Sequence, residues 1–199
     1  MVRRAGLRVL AGVAVAGLSF VAVAPSVGAA EDTSTVQPRL EREQQVQQTV
    51  LTYDHSQASQ YADAIDAGME VWNDALENVQ LEPASAGEDA NIVIIADPGW
   101  PRAELGPVGP DGQVTWWFGQ EGVDDGYDLV RIAAHETGHS LGLPDMKPGP
   151  CSSLMSGSTG GVDCTNATPN AEEVAMAEQN YGSGAAGQVP DGRILVDAR

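Results

Sequence analysis

The sequence predicts an α/β domain, a twisted mixed sheet of four to five strands with a histidine-bearing helix, a backing helix and a C-terminal helix. Three observations predict it. Short apolar runs of strand length occur at 50–53, 79–81, 91–96 and 114–118, whereas Ser59 to Leu76 repeats its apolar residues at helical spacing. The order strand, helix, strand, strand, strand, helix then places helices against a sheet. Finally, the run His135-Glu136-Thr137-Gly138-His139-Ser140-Leu141-Gly142-Leu143-Pro144-Asp145 sets two histidines four residues apart, on one face of the second helix.

The elements are taken in chain order. Arg3, Arg4 and Arg8 precede an apolar run from Val9 to Val23, and Pro25, Ser26, Gly28, Ala29 and Ala30 come after it, the pattern of a secretory signal over 1–30 cut near Ala29 or Ala30. A membrane anchor would need about twenty uninterrupted apolar residues. Residues 31–48 are polar, rich in Gln and Glu and without apolar period, and are expected to be a propeptide. The domain proper is expected over 49–182. Its first strand is Val50 to Tyr53, and the helix after it carries Tyr61, Ile65, Met69, Trp72 and Leu76 toward the core. The unbroken apolar run from Asn91 to Ala96 reads as a central strand covered on both faces. Prolines and glycines from Pro98 to Pro110 mark a long surface loop. Val114 to Phe118 resumes extended structure and is expected at the sheet edge, where a peptide would add as a further strand. Trp116 and Trp117 then face opposite ways, one into the core and one toward substrate. Asp124, Asp125 and Gly126 break the chain before the histidine helix. Pro169 to Val174 opens the last helix, with Pro near its start and acids in its first turn. Residues 183–199 form a tail, either an extra strand or a removed segment.

The chain has 199 residues and a net charge of −18. From Thr49 onward Arg102, Arg131, Lys147, Arg193 and Arg199 are its only basic residues. So acidic a surface repels phosphate backbones and anionic lipid, which argues against nucleic-acid and membrane partners; a monomer is expected. Cys151 and Cys164 are the only cysteines, and an even pair in an exported protein reads as a disulfide.

A hydrolytic zinc site needs three protein ligands and an open position for water. His135 and His139 supply two. Gly142 lies where the helix would end in a left-handed residue, and Pro144 prevents its resumption, so the chain turns back and Asp145 becomes the candidate third ligand. Glu136, beside the metal but not on it, is the candidate general base. An alternative set replaces Asp145 by Glu172 or Glu173 of the last helix, although acids there are also explained by the helix N-terminus. His55, the remaining histidine, reads as a surface residue.

The extended motif resembles the metzincin clan, and its Asp-terminated form is similar to the small neutral metalloproteases called snapalysins. Gly149-Pro150-Cys151-Ser152-Ser153-Leu154-Met155-Ser156-Gly157 resembles the Met-turn segment of that family. Cys164-Thr165-Asn166-Ala167 and Pro169-Asn170-Ala171-Glu172 resemble the family's stretch after the Met-turn, and the likeness runs from about Thr49 to Gly182. The resemblance implies a metzincin-like α+β fold, zinc on His135, His139 and Asp145, Glu136 as base, Met155 as an apolar floor beneath the ligands, and a Cys151 to Cys164 bridge. It also implies a calcium site at Asp128 and, through its backbone oxygen, Val130; a helix N-cap accounts for Asp128 equally well. One departure stands out, because Met146-Lys147 replaces the His-Tyr pair of the family. The expected function is that of a secreted, extracellular zinc endopeptidase acting on proteins or peptides, with a preference, implied by the resemblance, for an aromatic residue after the cut. The alternative is a zinc-stabilised extracellular binding protein derived from a protease.

Overall fold

In the computed structural model residues 48–182 and 192–197 are described. The signal and most of the propeptide expected before Thr49 fall outside the described residues, as does the stretch 183–191. The sheet has six strands rather than four to five, in the order β2-β1-β3-β5-β4-β6. Strands β1 (Thr49–Gln57), β2 (Val79–Pro83), β3 (Ile92–Asp97) and β5 (Val114–Gly119) run parallel, with Leu51 beside Leu81, Tyr53 beside Ile92 and Ile94 beside Trp116. Strand β4 (Arg102–Glu104) pairs antiparallel with β5, and β6 (Ile194–Val196) pairs antiparallel with β4. The apolar run at 91–96 is central, as its composition implies.

The expected edge position of Val114 to Phe118 is corrected by this order, because β5 lies between β3 and β4. Three residues of β4 sit inside the Pro/Gly stretch read as loop, where no alternation is long enough to announce a strand, and the tail supplies β6. Trp116 faces the core and is fully buried, whereas Trp117 points the other way and lies under the Arg102 guanidinium, 4.6 Å from the ring centroid.

One 3-10 turn (Ser59–Tyr61) leads into α1 (Ala62–Ala75), which buries Ile65, Met69 and Trp72. A short α2 (Gln120–Asp124), not expected from the sequence, leads toward α3 (Leu129–Ser140). Helices α1 and α3 pack together, and the Trp72 indole N–H donates to the Ala134 carbonyl at 2.8 Å. Burying each such large side chain contributes about 1.5–3 kcal/mol, so α1 is a rigid back wall for the histidine helix. A 3-10 segment (Leu154–Gly160) then precedes α4 (Ala171–Tyr181). Helix α4 begins with a capping box in which Asn170 accepts from the Glu172 and Glu173 amides while Glu173 accepts from the Asn170 amide.

Candidate metal centre

Helix α3 starts at Asp128, whose carboxylate accepts from the Arg131 amide at 2.8 Å, and carries His135, Glu136 and His139 into the interior. It ends where the sequence implies. Gly142 has φ +92, and a Cβ there would stand 2.8 Å from Pro107, so only glycine makes the turn. The chain then reverses and Asp145 returns beneath the histidines.

The tautomers are set by the hydrogen bonds. His135 Nδ1 lies 3.0 Å from the Leu154 carbonyl and His139 Nδ1 lies 2.7 Å from the Leu143 carbonyl, so each Nδ1 carries the proton and donates it. The two Nε2 atoms therefore face each other at 3.1 Å, free of the carbonyls, and Asp145 Oδ1 is 3.5 Å from the first and 3.6 Å from the second. Three potential ligand atoms converge on one point. Ligands bonded at 2.0–2.1 Å around a tetrahedral ion stand about 3.3 Å apart, which these separations approach. Beside them the Glu136 carboxylate is fully buried, with neither oxygen hydrogen-bonded. A buried charge without a partner costs several kcal/mol unless something compensates it. The donor set of His135, His139 and Asp145 thus fits a divalent cation.

Electrostatics support this. Burial pushes the Glu136 carboxyl up to about 8, with Asp197 and Asp145 adding to the rise and His135 and Lys147 opposing it. For His135 burial favours the neutral ring, but Asp145, Asp197 and Glu136 prevail and push it up to about 9. Burial lowers His139. The two imidazoles hold Asp145 well below the usual carboxylate range, against its burial. A cation competes with the proton for the same nitrogens and oxygens, so metal binding to this cluster releases protons.

The floor is built by the loop after Asp145. Met155 is fully buried, and a Cβ on Gly138 would lie 2.6 Å from its sulfur, so helix and methionine are in direct contact. Arg131, nearly buried, donates to the Ser153 carbonyl at 3.0 Å and to Ser156 Oγ at 2.9 Å, tying this loop to α3. Glu173 binds the same loop and does not belong to the histidine donor cluster. Its Oε1 accepts from Ser153 Oγ at 2.7 Å and the Met155 amide at 2.8 Å, and its Oε2 from the Leu154 and Asn170 amides at 3.2 and 2.7 Å. The alternative ligand set with Glu172 or Glu173 therefore fails: neither belongs to a cluster of metal donors among the described residues, whereas Asp145 does. The calcium role expected of Asp128 and Val130 finds no support either, because no such cluster among the described residues includes Asp128. Cys151 and Cys164 form a disulfide with Cα atoms 5.5 Å apart. His55 lies outside the site, bonded to Asp66 at 3.2 Å.

Two further groups stand in the site, Asp197, which sequence reasoning missed, and Lys147, which it noted only as a replacement for tyrosine. Asp197, directly after β6, is buried with Oδ1 4.0 Å from His135 Nε2. Lys147 Nζ stands 2.5 Å from that oxygen and 3.1 Å from Asp145 Oδ1; both are charge pairs by distance, although their angles do not suit hydrogen bonds. The Ile194-Leu195-Val196 run was the only sequence signal for the strand that delivers Asp197.

Fold and donor set together define an α/β domain built round a helix-borne centre of two histidines and one carboxylate. The model of the Streptomyces extracellular neutral proteinase (M7) family matches residues 48–184. The chain belongs to that family. The extracellular small neutral protease of Streptomyces sp. (strain C5) is 39% identical over 134 residues, covering 67% of this chain and 57% of that protein. Its namesake in Streptomyces coelicolor is 36% identical, covering 68% and 61%, and that of Streptomyces caespitosus is 37% identical, covering 67% and 98%. The chain thus spans less than two thirds of the first two of these relatives. A solved structure, High choriolytic enzyme 1, a hatching enzyme zinc-protease from the medaka fish Oryzias latipes, aligns with a TM-score of 0.36 and 20% identity over 48% of this chain and 44% of its own, too little to bear on function. Among the described residues no helix is long and apolar enough to cross a membrane.

Proposed function

We propose that the protein is a secreted zinc-dependent endopeptidase with His135, His139 and Asp145 as zinc ligands and Glu136 as general base. The observation that carries the reading is the convergence of two imidazole Nε2 atoms and a carboxylate oxygen within 3.1–3.6 Å of one another, next to a buried carboxylate that has no hydrogen bond. Bound zinc supplies a Lewis acid for the scissile carbonyl and lowers the pKa of a water. The rest of the chemistry belongs to the chain. Glu136, kept basic by its apolar surroundings, accepts the proton of the attacking water at a carboxylate oxygen and returns it to the leaving amine. Leu154 and Leu143 fix the imidazole rings through their carbonyls, and Met155 supports them from below. A preference for an aromatic residue after the cut belongs to this reading through the family resemblance alone.

Residues 1–30 and 31–48 are assigned as signal and propeptide, consistent with the extracellular relatives. The rival reading, a zinc-stabilised binding protein, leaves Glu136 without a role, since a structural site gains nothing from an unpaired buried base. Casein hydrolysis by the mature protein tests the proposal. Activity lost to a chelator, restored by zinc and abolished by Glu136→Gln with zinc retained is the expected result. A Glu136→Gln protein that cuts casein at the parent rate removes Glu136 from its role.

A further inference from the structure

We propose that β6 occupies on β4 the position that an extended substrate takes, with Asp197 held beside the metal donors, so that the chain carries its own occupant of the substrate site. The inference rests on the proteolytic reading above. Strand β4 would otherwise be the free edge of the sheet next to the histidine helix, where a peptide could add by main-chain hydrogen bonding. Instead β6 lies along it antiparallel, with Ala103 beside Leu195. The Leu105 amide donates to the Arg193 carbonyl at 2.8 Å, and the Asp197 amide donates to the Pro101 carbonyl at 2.9 Å. A strand laid on this edge delivers its next residue to the centre. Asp197 shows this directly, because a carboxylate oxygen of its own, with one atom each from His135 and Glu136, forms a second set of potential metal donors within 4.8 Å of one another.

The surroundings are shaped for that carboxylate. It accepts from the Ser158 amide at 2.9 Å and pairs with Lys147 at 2.5 Å. Gly157 adopts φ +50, and a Cβ there would come within 2.2 Å of Asp197 Oδ1 and 2.8 Å of the Lys147 side chain, so no other residue would admit both. The core does not account for β6: Ile194 and Val196 are 46% and 48% exposed, and the strand is held by its backbone ladder and by Asp197. Elements with few buried apolar contacts open at low cost. Asp197 lies beyond residues 48–184, the stretch that the family model matches.

Occupancy is tested in the full chain carrying Glu136→Gln, loaded with zinc, by titrating a dansyl-labelled extended hexapeptide with a central aromatic residue. Two further substitutions are compared. Leu195→Pro cannot donate to the ladder, and Asp197→Ala removes the carboxylate that anchors the end of the strand to Ser158 and Lys147. Amide exchange at Leu105 reports release of β6. The expected result is faster Leu105 exchange in Leu195→Pro with peptide binding tightened by about tenfold or more, as a site freed from an internal competitor requires. A synthetic peptide of the sequence Gly192 to Asp197 should then compete with the label. Unchanged affinity in Leu195→Pro despite faster Leu105 exchange overturns the inference. If that variant does not fold, Asp197→Ala decides alone, tighter peptide binding supporting occupancy and unchanged binding refuting it. Hydrolysis is not needed for this readout. Tighter binding together with an inert Leu195→Pro protein that retains Glu136 would therefore remove the proposed proteolysis while leaving the occupancy standing.

Discussion

Substitution of Glu173 by alanine is the sharpest probe of how the centre is supported. The side chain is 2% exposed and accepts four hydrogen bonds, from Ser153 Oγ and from the amides of Leu154, Met155 and Asn170. Hydrogen bonds to a charged group contribute about 1.5–3 kcal/mol each, and a buried donor left without a partner costs about 1–3 kcal/mol. Four such terms do not add in full, because the loop relaxes and water enters, and breaking one member of a buried charged network costs about 3–5 kcal/mol. We therefore expect Glu173→Ala to lose about 3–5 kcal/mol, a large part of the 5–15 kcal/mol typical of a domain. Glu173→Gln should lose less but still measurably, since its amide nitrogen would face two of the donors. Urea unfolding of the zinc-free proteins reads the stability, and metal analysis of the folded fraction reads the ligand set. Glu173 supports Leu154, whose carbonyl orients His135, so zinc affinity should weaken moderately while one zinc per folded chain remains. A loss under about 1 kcal/mol would refute the packing argument. A folded variant that binds no zinc would restore Glu173 as a ligand.

Gly138→Ala should destabilise by about 1–3 kcal/mol, the usual cost of overpacking, because its new methyl meets the Met155 sulfur at 2.6 Å; thermal unfolding measures this. Replacing both Cys151 and Cys164 by serine should cost about 3 kcal/mol, the chain-entropy value for a loop of this order, read by urea unfolding with and without reductant. In the chelated protein the raised Glu136 carboxyl binds a proton more tightly folded than unfolded. Its contribution to stability is thus complete below about 4.5 and is lost as pH rises through about 8. Urea unfolding at pH 5 and pH 8 should show a smaller difference for Glu136→Gln than for the parent. The Asp97 carboxyl is lowered by its hydrogen bond from Arg102, so its contribution runs the other way, present above the ordinary carboxylate range and lost in acid. Asp97→Asn should therefore flatten the acid limb of the same measurement.

Much of this was legible from residue order, for identifiable reasons. The histidine helix and its end were readable because the spacing of His135 and His139, the turn at Gly142 and the stop at Pro144 are local constraints. The helix at 59–76 and the central strand were readable from their period. Strand β4 was not, because three residues between prolines carry no period and owe their conformation to β5 and β6. The edge position given to β5 failed for the same reason, since a strand's neighbours are set by long-range pairing. Glu173 read correctly as a helix-start acid, but its grip on the Met155 loop depends on contacts far apart in sequence. Arg131 and Asp197 gave no local sign at all, being buried charges whose partners meet only in the folded chain.

X-ray absorption at the zinc edge tests the central claim most directly. The account predicts one zinc per chain bound by two imidazole nitrogens at about 2.0–2.1 Å and carboxylate oxygen at about 2.0–2.2 Å, with the oxygen contribution reduced and affinity sharply lowered in Asp145→Ala. A protein that binds no zinc stoichiometrically, or whose zinc environment is unchanged by removing Asp145, would contradict it.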